Sequence, residues 1–226
     1  ASVTMTSNGS SAAQTAAVVG TGSYVSSEVE SFVAALQTSA PVDVLLAVDL
    51  SCSMDDHTVP LGDGFAEFKA GLDQLTGWNL GVVTNDDGCF NGGVITEATV
   101  DAATVFDDAV NTGGYTGGYP NCDSESLLKL SATALAAADP AGCNDGFLTT
   151  GADLHVIVVS DENEQSGTPS ATWVSAFEGY VVAPNKVTVS GIVDMSQCEL
   201  GSDGYDTAIA ATGGISVDLC NHTAAD

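Results

Sequence analysis

Apolar and polar positions along the chain follow a pattern whose period changes repeatedly after residue 40. Short runs of apolar, β-branched residues are typical of buried strands. The segments between them carry apolar residues three or four positions apart, which is typical of helices. This alternation predicts an α/β fold, with a doubly wound, mainly parallel six-stranded sheet, one antiparallel edge strand and helices on both faces. The predicted strands are residues 42–50, 79–84, 153–160, 186–193 and 215–219, with the edge strand within 92–100.

Helical spacing of apolar residues predicts five helices between these strands. The first stripe runs from Leu61 to Leu75 and predicts one continuous helix. The third of them, which begins at Ser124, should end at Ala138, because Asp139 and Pro140 follow it. The remaining predicted helices are a short one at 102–110, the helix from Ser124 to Ala138, one around Trp173 and Phe177, and a short one at 203–211.

The chain divides into three parts by composition. Residues 1–24 are rich in Ser, Ala and Gly, which predicts an extended arm, although its segment SVTMTS alternates as a strand does, with Val3 and Met5 on one face. Residues 25–40 carry an apolar stripe at helical spacing and predict a helical lead-in. The domain itself is predicted to occupy residues 41–226.

Charge excludes some partners of this chain. It has three lysines, no arginine and 30 acidic residues, so its formal net charge is −27. A nucleic acid or an anionic lipid surface would be repelled strongly, so neither is an expected partner. The longest apolar runs are strand-length, so no membrane insertion is expected. An acidic surface attracts divalent cations, but a role in solubility is enough to explain it.

The cysteines indicate an oxidising compartment. There are six of them, an even number, and none belongs to a CxxC zinc pattern, so disulfides are favoured over metal thiolates. We therefore expect a secreted protein, extracellular or at the cell surface. The small-residue start ASVTMTS is interpreted as a chain whose signal peptide has been removed. The cysteines are Cys52, Cys89, Cys122, Cys143, Cys198 and Cys220.

Oxygen-bearing side chains follow two of the most apolar strands. The first strand is followed by Asp49, Ser51 and Ser53, and the strand HVIVVS is followed by Asp161 and further acids. Parallel strands that lie side by side at the point where strand order reverses bring such loops together. Hard oxygen donors suit Mg²⁺, Mn²⁺ or Ca²⁺, so the sequence predicts a divalent-metal site. Alternatively, Asp49 and Asp161 only cap the adjacent helices.

The segment DLSCSM, at the end of a strand and before a helix, resembles the metal-ion-dependent adhesion site (MIDAS) of von Willebrand factor type A domains. That motif is DxSxS followed by a later aspartate, which Asp161 in VVSDE matches. The segments LHVIVVSDENEQS, NDGFL and ATGGISVDLC are similar to secreted or lipid-anchored bacterial members, so the resemblance covers residues 40–221. DLSCSMDD is also similar to integrin β-subunit domains, where the following acids bind a second ion; Asp56 matches that second site, but His57 replaces an acid.

The resemblance implies a further ligand, a threonine, in a middle loop. Thr116 is a threonine of this loop, whereas the spacing back from the following helix places Asn121 at the ligand position. Asp123 and Glu125 are further candidates, because the pattern resembles integrin β domains with a glutamate there. The identity of the middle-loop ligand stays open.

The bacterial resemblance also implies one disulfide. A pair in the places of Cys198 and Cys220 resembles that group, so these two are expected to be bridged. Cys52 and Cys122 lie in adjacent predicted ligand loops. Pairing them would leave Cys89 with Cys143.

The function implied by the resemblance is non-enzymatic binding, in which the bound ion accepts a carboxylate from a partner protein. The alternative is a structural subunit of an extracellular filament or surface layer that self-associates through the arm at 1–24. Two rival classes fit less well. The segment VVGTGSYV, residues 18–25, resembles a dinucleotide-binding loop, but it has Val25 at the position where close packing of the helix against the strand requires glycine. A hydrolase is disfavoured because no GxSxG elbow exists, and His155 is expected to be a core histidine.

Overall fold

The computed structural model describes residues 41–51, 53–54, 57–84, 87–111, 126–196 and 201–220, all of which belong to one compact unit of the chain. The predicted arm at 1–24 and lead-in at 25–40 lie outside the described residues. Their roles, and the domain boundary between them, stay predictions.

The described residues form a six-stranded sheet in the order β3-β2-β1-β4-β5-β6. All neighbouring strands are parallel except β3, which is antiparallel to β2 at one edge. The predicted fold class, doubly wound and mainly parallel with one antiparallel edge strand, is confirmed. The strands are β1 Val42–Val48, β2 Trp78–Val83, β3 Ile95–Thr96, β4 Asp153–Ser160, β5 Val187–Val193 and β6 Ser216–Asp218.

Helices cover both faces of the sheet, because the central strands are apolar on both. In β1, Leu45 and Ala47 belong to one core cluster, whereas Leu46 and Val48 belong to the other. Residues of α4, α5 and α6 share the first cluster, and residues of α2 and α3 share the second. The helices are α1 Thr58–Asp63, α2 Phe65–Leu72, α3 Ala102–Asn111, α4 Leu127–Ala136, α5 Ser170–Glu178 and α6 Tyr205–Thr212.

The continuous helix predicted from Leu61 to Leu75 is two helices. The first ends and the second begins at Gly64, whose N–H donates to the Pro60 carbonyl at 3.0 Å. Glycine weakens a helix interior, and Gly62 lies just before this junction. The apolar stripe therefore located the buried face correctly but not the break in the backbone. Within the described residues, no helix has the length and apolarity that crossing a membrane requires.

A disulfide joins Cys89, after β2, to Cys143, after α4. Beside it the buried Asn144 side chain donates to the Gly88 and Ala134 carbonyls at 2.7 and 2.9 Å and accepts from the Phe90 N–H at 2.8 Å. The Cys89–Cys143 bridge is the pairing expected if Cys52 and Cys122 are bridged to each other.

Cys220 is also disulfide-bonded. Its partner lies outside the described residues, as do Cys52, Cys122 and Cys198. The expected Cys198–Cys220 and Cys52–Cys122 bridges therefore stay predictions, and the Cys89–Cys143 bridge alone already indicates an oxidising environment.

Candidate metal centre

The predicted convergence of the two ligand-bearing strands is confirmed. β1 and β4 are neighbours, with Val48 opposite Val159, and the Asp49 N–H donates to the Val159 carbonyl at 2.9 Å. The chain moves from β1 toward one edge through β2 and β3 and toward the other through β4, β5 and β6. The gap between β1 and β4 is therefore the point where strand order reverses, the usual ligand position in such sheets.

Asp49 is buried at this point, with 1% of its surface exposed. One of its carboxylate oxygens accepts the Ser51 N–H at 2.6 Å, and the other accepts the Ser160 hydroxyl at 2.7 Å. These two bonds fix the carboxylate across the gap between β1 and β4. Because each carboxylate oxygen has two lone pairs, Asp49 keeps acceptor capacity for an ion or a bound water.

The two serines of the motif lie side by side after Asp49. The Ser51 and Ser53 hydroxyl oxygens are 3.2 Å apart; Ser51 is buried and Ser53 is exposed. The Met54 N–H donates to the Ser51 carbonyl at 3.1 Å, and the Met54 side chain is 1% exposed in the core. This buried methionine anchors the turn, so the serine hydroxyls are held together at the same edge of the sheet as Asp49.

Asp161 carries the strongest signal for a ligand. Asp161 is 0% exposed, and within the described part of the chain neither of its carboxylate oxygens has a hydrogen-bond partner. Burial raises the pKa of Asp161, and the negative charge of Asp49 raises it further, whereas Ser53 and His57 lower it. Ser53 thus lies close to Asp161 without making a hydrogen bond of ordinary geometry to it. An ionised carboxylate buried without a partner costs several kcal/mol, and such groups in proteins are paired or bind metals.

The residues present therefore fit a divalent cation. Two buried carboxylates and two neutral hydroxyls come together, and the oxygens of Asp161 need a positive partner. All of these donors are hard oxygens, which Mg²⁺, Mn²⁺ and Ca²⁺ prefer. The alternative that the aspartates only cap helices does not account for Asp161, because no N–H of a described helix donates to its oxygens.

A third acid, Glu162, lies beside this pair and is 7% exposed. Burial raises the pKa of Glu162, and the charges of Asp49 and Asp161 raise it further, while a hydrogen bond from Gln165 lowers it. Its negative charge adds to those of the two aspartates at this edge of the sheet.

Glu164 has a different role from the acids before it. One of its carboxylate oxygens accepts the Leu128 N–H at 2.8 Å, in the first turn of α4, and the other accepts the Ser166 N–H at 3.2 Å. The Leu127 N–H donates to the Tyr205 hydroxyl at 3.3 Å. Side chains from the Asp161 loop and from α6 thus satisfy the free donors at the start of α4. Spacing along the sequence could not reveal such contacts.

The middle-loop candidates Thr116, Asn121, Asp123 and Glu125 lie outside the described residues, as does Asp56. The identity of the middle-loop ligand and the second ion site therefore stay predictions. The loop nevertheless leads directly into α4, whose first turn is bound to the Asp161 loop through Glu164.

Two other groups of polar residues fit a functional site less well. Asp194, Asp218 and Cys220 bring their ligand atoms within 4.8 Å of one another at the ends of β5 and β6. Since the Cys220 sulfur is in a disulfide, it is no thiolate ligand. His155 shares a 2.8 Å hydrogen bond with the Ser190 hydroxyl, and burial lowers its pKa to about 4. It is a partnered core histidine, as expected.

The mainly parallel six-stranded sheet, its antiparallel edge strand and the position of the DxSxS segment at the reversal point are those expected from the resemblance. The fold is von Willebrand factor type A-like. Several solved structures are similar to the chain at low sequence identity. A von Willebrand factor type A protein from Catenulispora acidiphila is 19% identical, with 80% of this chain and 39% of that chain covered and a TM-score of 0.45.

Proximal thread matrix protein 1 from the mussel byssus is 14% identical in one structure, over 80% of this chain and 44% of that one, with a TM-score of 0.49. A second structure of that mussel protein is described as having a zinc-occupied MIDAS motif; it is 10% identical, with 80% and 43% covered and a TM-score of 0.45. The chain thus spans about two fifths of the length of these proteins. The sequence matches no protein-family model and no curated protein.

Proposed function

We propose that this von Willebrand factor type A-like domain is a secreted, non-enzymatic binding module that recognises a partner protein through a divalent ion. The observation that carries the proposal is the buried, partnerless carboxylate of Asp161 beside Asp49. Ser51 and Ser53 complete a set of oxygen donors at the reversal point of the sheet. When bound, the ion supplies a coordination position for an outside carboxylate.

The protein's own residues prepare this edge for binding. Asp49 is fixed by the Ser51 N–H and the Ser160 hydroxyl, so its carboxylate needs no reorganisation when an ion arrives. The serine hydroxyls are neutral, so they leave more of the ion's positive charge for an anionic ligand than carboxylates would. Exposed Ser53 lies on the solvent side of the set, where a partner can approach.

Titration of the metal-free protein with Mg²⁺ or Mn²⁺ by calorimetry tests the proposal. Asp49→Ala should abolish detectable binding, because a carboxylate both attracts and orients the ion. The matched control is Asp108→Ala, which removes an exposed acid on α3 and should bind as the wild type does. Equal affinity in the Asp49 variant, or no binding by the wild-type protein, would refute the ion site.

A further inference from the structure

The Asp161 loop, residues 161–166, is bound at its start to the end of the sheet. The Ser160 hydroxyl donates to the Asp49 carboxylate at 2.7 Å and accepts the Glu162 N–H at 3.0 Å. One hydroxyl at the end of β4 therefore binds both the ligand that follows β1 and the backbone of this loop.

Glu164 binds the other side of the Asp161 loop to two helices. One of its carboxylate oxygens accepts the Leu128 N–H in the first turn of α4 at 2.8 Å, and the other accepts the Ser166 N–H at 3.2 Å. The Glu164 N–H donates to the Asp203 carbonyl, just before α6, at 2.9 Å. This one residue therefore joins the loop to the starts of α4 and α6.

The segment before α6 packs closely against the Asp161 loop. The Asp203 N–H donates to the Asn163 side-chain oxygen at 2.6 Å. A Cβ added to Gly204 would lie 2.8 Å from the Glu164 Cβ, so the backbone of Gly204 lies directly on this side chain. The Glu164 side chain is therefore fixed between this segment and α4.

Asp161 depends on its loop for its position. Within the described part of the chain its carboxylate oxygens have no hydrogen-bond partner, and the negative charge of Asp49 repels it. The restraint on Asp161 therefore comes from the backbone on either side of it, which Ser160 binds at one point and Glu164 at the other.

We infer that Glu164 is a positioning residue of the ion site: it holds the Asp161 loop against α4 and α6, and so raises the affinity for the ion without binding it. The inference rests on the proposed function, because it assumes an ion between Asp49 and Asp161. Both Glu164 oxygens accept N–H groups of the protein, so this carboxylate serves as an anchor. A ligand that is held in place before the ion arrives loses less conformational freedom on binding, which raises affinity.

Two other roles for Glu164 make different predictions. If it acted on the ion only through its negative charge, Glu164→Gln and Glu164→Ala would weaken binding equally, since both remove the charge. If it only capped α4, both would lower stability and leave the affinity of the folded protein unchanged. A positioning role separates the two variants, because the glutamine oxygen still accepts the Leu128 N–H, whereas the alanine side chain has no acceptor.

The test compares the wild type, Glu164→Ala, Glu164→Gln and Asn79→Ala by calorimetric titration with MnCl₂, at a temperature where melting curves in EDTA show every protein to be folded. The matched control is Asn79, whose amide donates to the Phe147 carbonyl at 2.7 Å and to the Thr149 hydroxyl at 3.0 Å. It lies near the start of β2, at the opposite end of the parallel sheet from Asp49.

Glu164→Ala should bind Mn²⁺ about 10-fold more weakly than the wild type, the scale seen for residues that support metal ligands. The affinity of Glu164→Gln should lie between those of Glu164→Ala and the wild type. Asn79→Ala should lose stability, because it loses two hydrogen bonds, but it should bind Mn²⁺ as the wild type does.

Each outcome decides the inference. Unchanged affinity in Glu164→Ala, with wild-type binding intact, overturns the positioning role and leaves the proposed function standing. Binding by Glu164→Gln as weak as that by Glu164→Ala assigns the effect to charge, and an equal loss in Asn79→Ala assigns it to general destabilisation; either result overturns the inference. Absence of Mn²⁺ binding by the wild type overturns both this inference and the proposed function.

Discussion

Asp161→Asn is the substitution whose effects follow most directly from the structure. The asparagine has nearly the shape of the aspartate but no charge, so the change removes a buried carboxylate that has no hydrogen-bond partner. In the metal-free protein this carboxylate is repelled by Asp49. The variant should therefore be more stable than the wild type without metal, and it should lose the stabilisation that a bound ion provides.

Both the gain in stability without metal and the lost stabilisation by a bound ion can be estimated as free energies. Two like charges roughly 5 Å apart at an effective dielectric of about 20 repel by about 3 kcal/mol. The new amide group needs partners of its own, and a buried polar group without them costs about 1–3 kcal/mol. A net gain of about 1 kcal/mol is then expected, which is about 2–4 °C in melting temperature for a domain of this size. An ion at about 100 times its dissociation constant stabilises the wild type by about 2.7 kcal/mol.

Melting curves in EDTA and in excess Mn²⁺ test this reasoning. Without metal, Asp161→Asn should melt above the wild type, and with Mn²⁺ the order should reverse because only the wild type gains from the ion. The same Mn²⁺-induced shift in both proteins would show that Asp161 does not bind the ion. A variant that melts well below the wild type in EDTA would show that the carboxylate stabilises the fold, contrary to its lack of partners.

Three further predictions concern the surrounding structure. Glu164→Ala should lower stability by about 1–2 kcal/mol, because the Leu128 N–H loses its cap; chemical denaturation measures this, and an unchanged midpoint would contradict the contact. Replacing Cys89 and Cys143 together by serine should cost about 4 kcal/mol for a bridge that spans 54 residues, and non-reducing peptide mapping of the wild type should recover this pair. Burial raises the pKa of Asp43, so folding favours its protonated form. The contribution of Asp43 to stability therefore falls as pH rises from about 4 through the raised pKa. Asp43→Asn should show a flatter dependence of stability on pH.

The sequence was sufficient to predict the sheet and the meeting of the two ligand loops. Runs such as VDVLLAV are buried on both faces, which is typical of central parallel strands, and β1 and β4 are indeed neighbours. Once those strands are adjacent, Asp49 and Asp161 must lie at the same edge. The pattern of apolar residues therefore determines most of the candidate site.

Other features depend on contacts that spacing does not encode. Glu164, in the loop after β4, and Tyr205, at the start of α6, bind the first turn of α4 although both lie far from it in the sequence. Ser160 binds both the Asp49 carboxylate and the Glu162 N–H. The break between α1 and α2 at Gly64 depends on local backbone geometry rather than on the apolar stripe. Apolar periodicity reports which face is buried, but it does not specify how polar groups are paired across the fold.

The ion site itself is tested most directly by a crystal structure of the protein grown or soaked with MnCl₂, with anomalous difference density recorded. The account predicts a strong peak at the end of β1, surrounded by oxygens of Asp49, Ser51, Ser53 and Asp161. A crystal saturated with Mn²⁺ that shows no peak at this position, or one whose ion lies instead between Asp194 and Asp218, would contradict it.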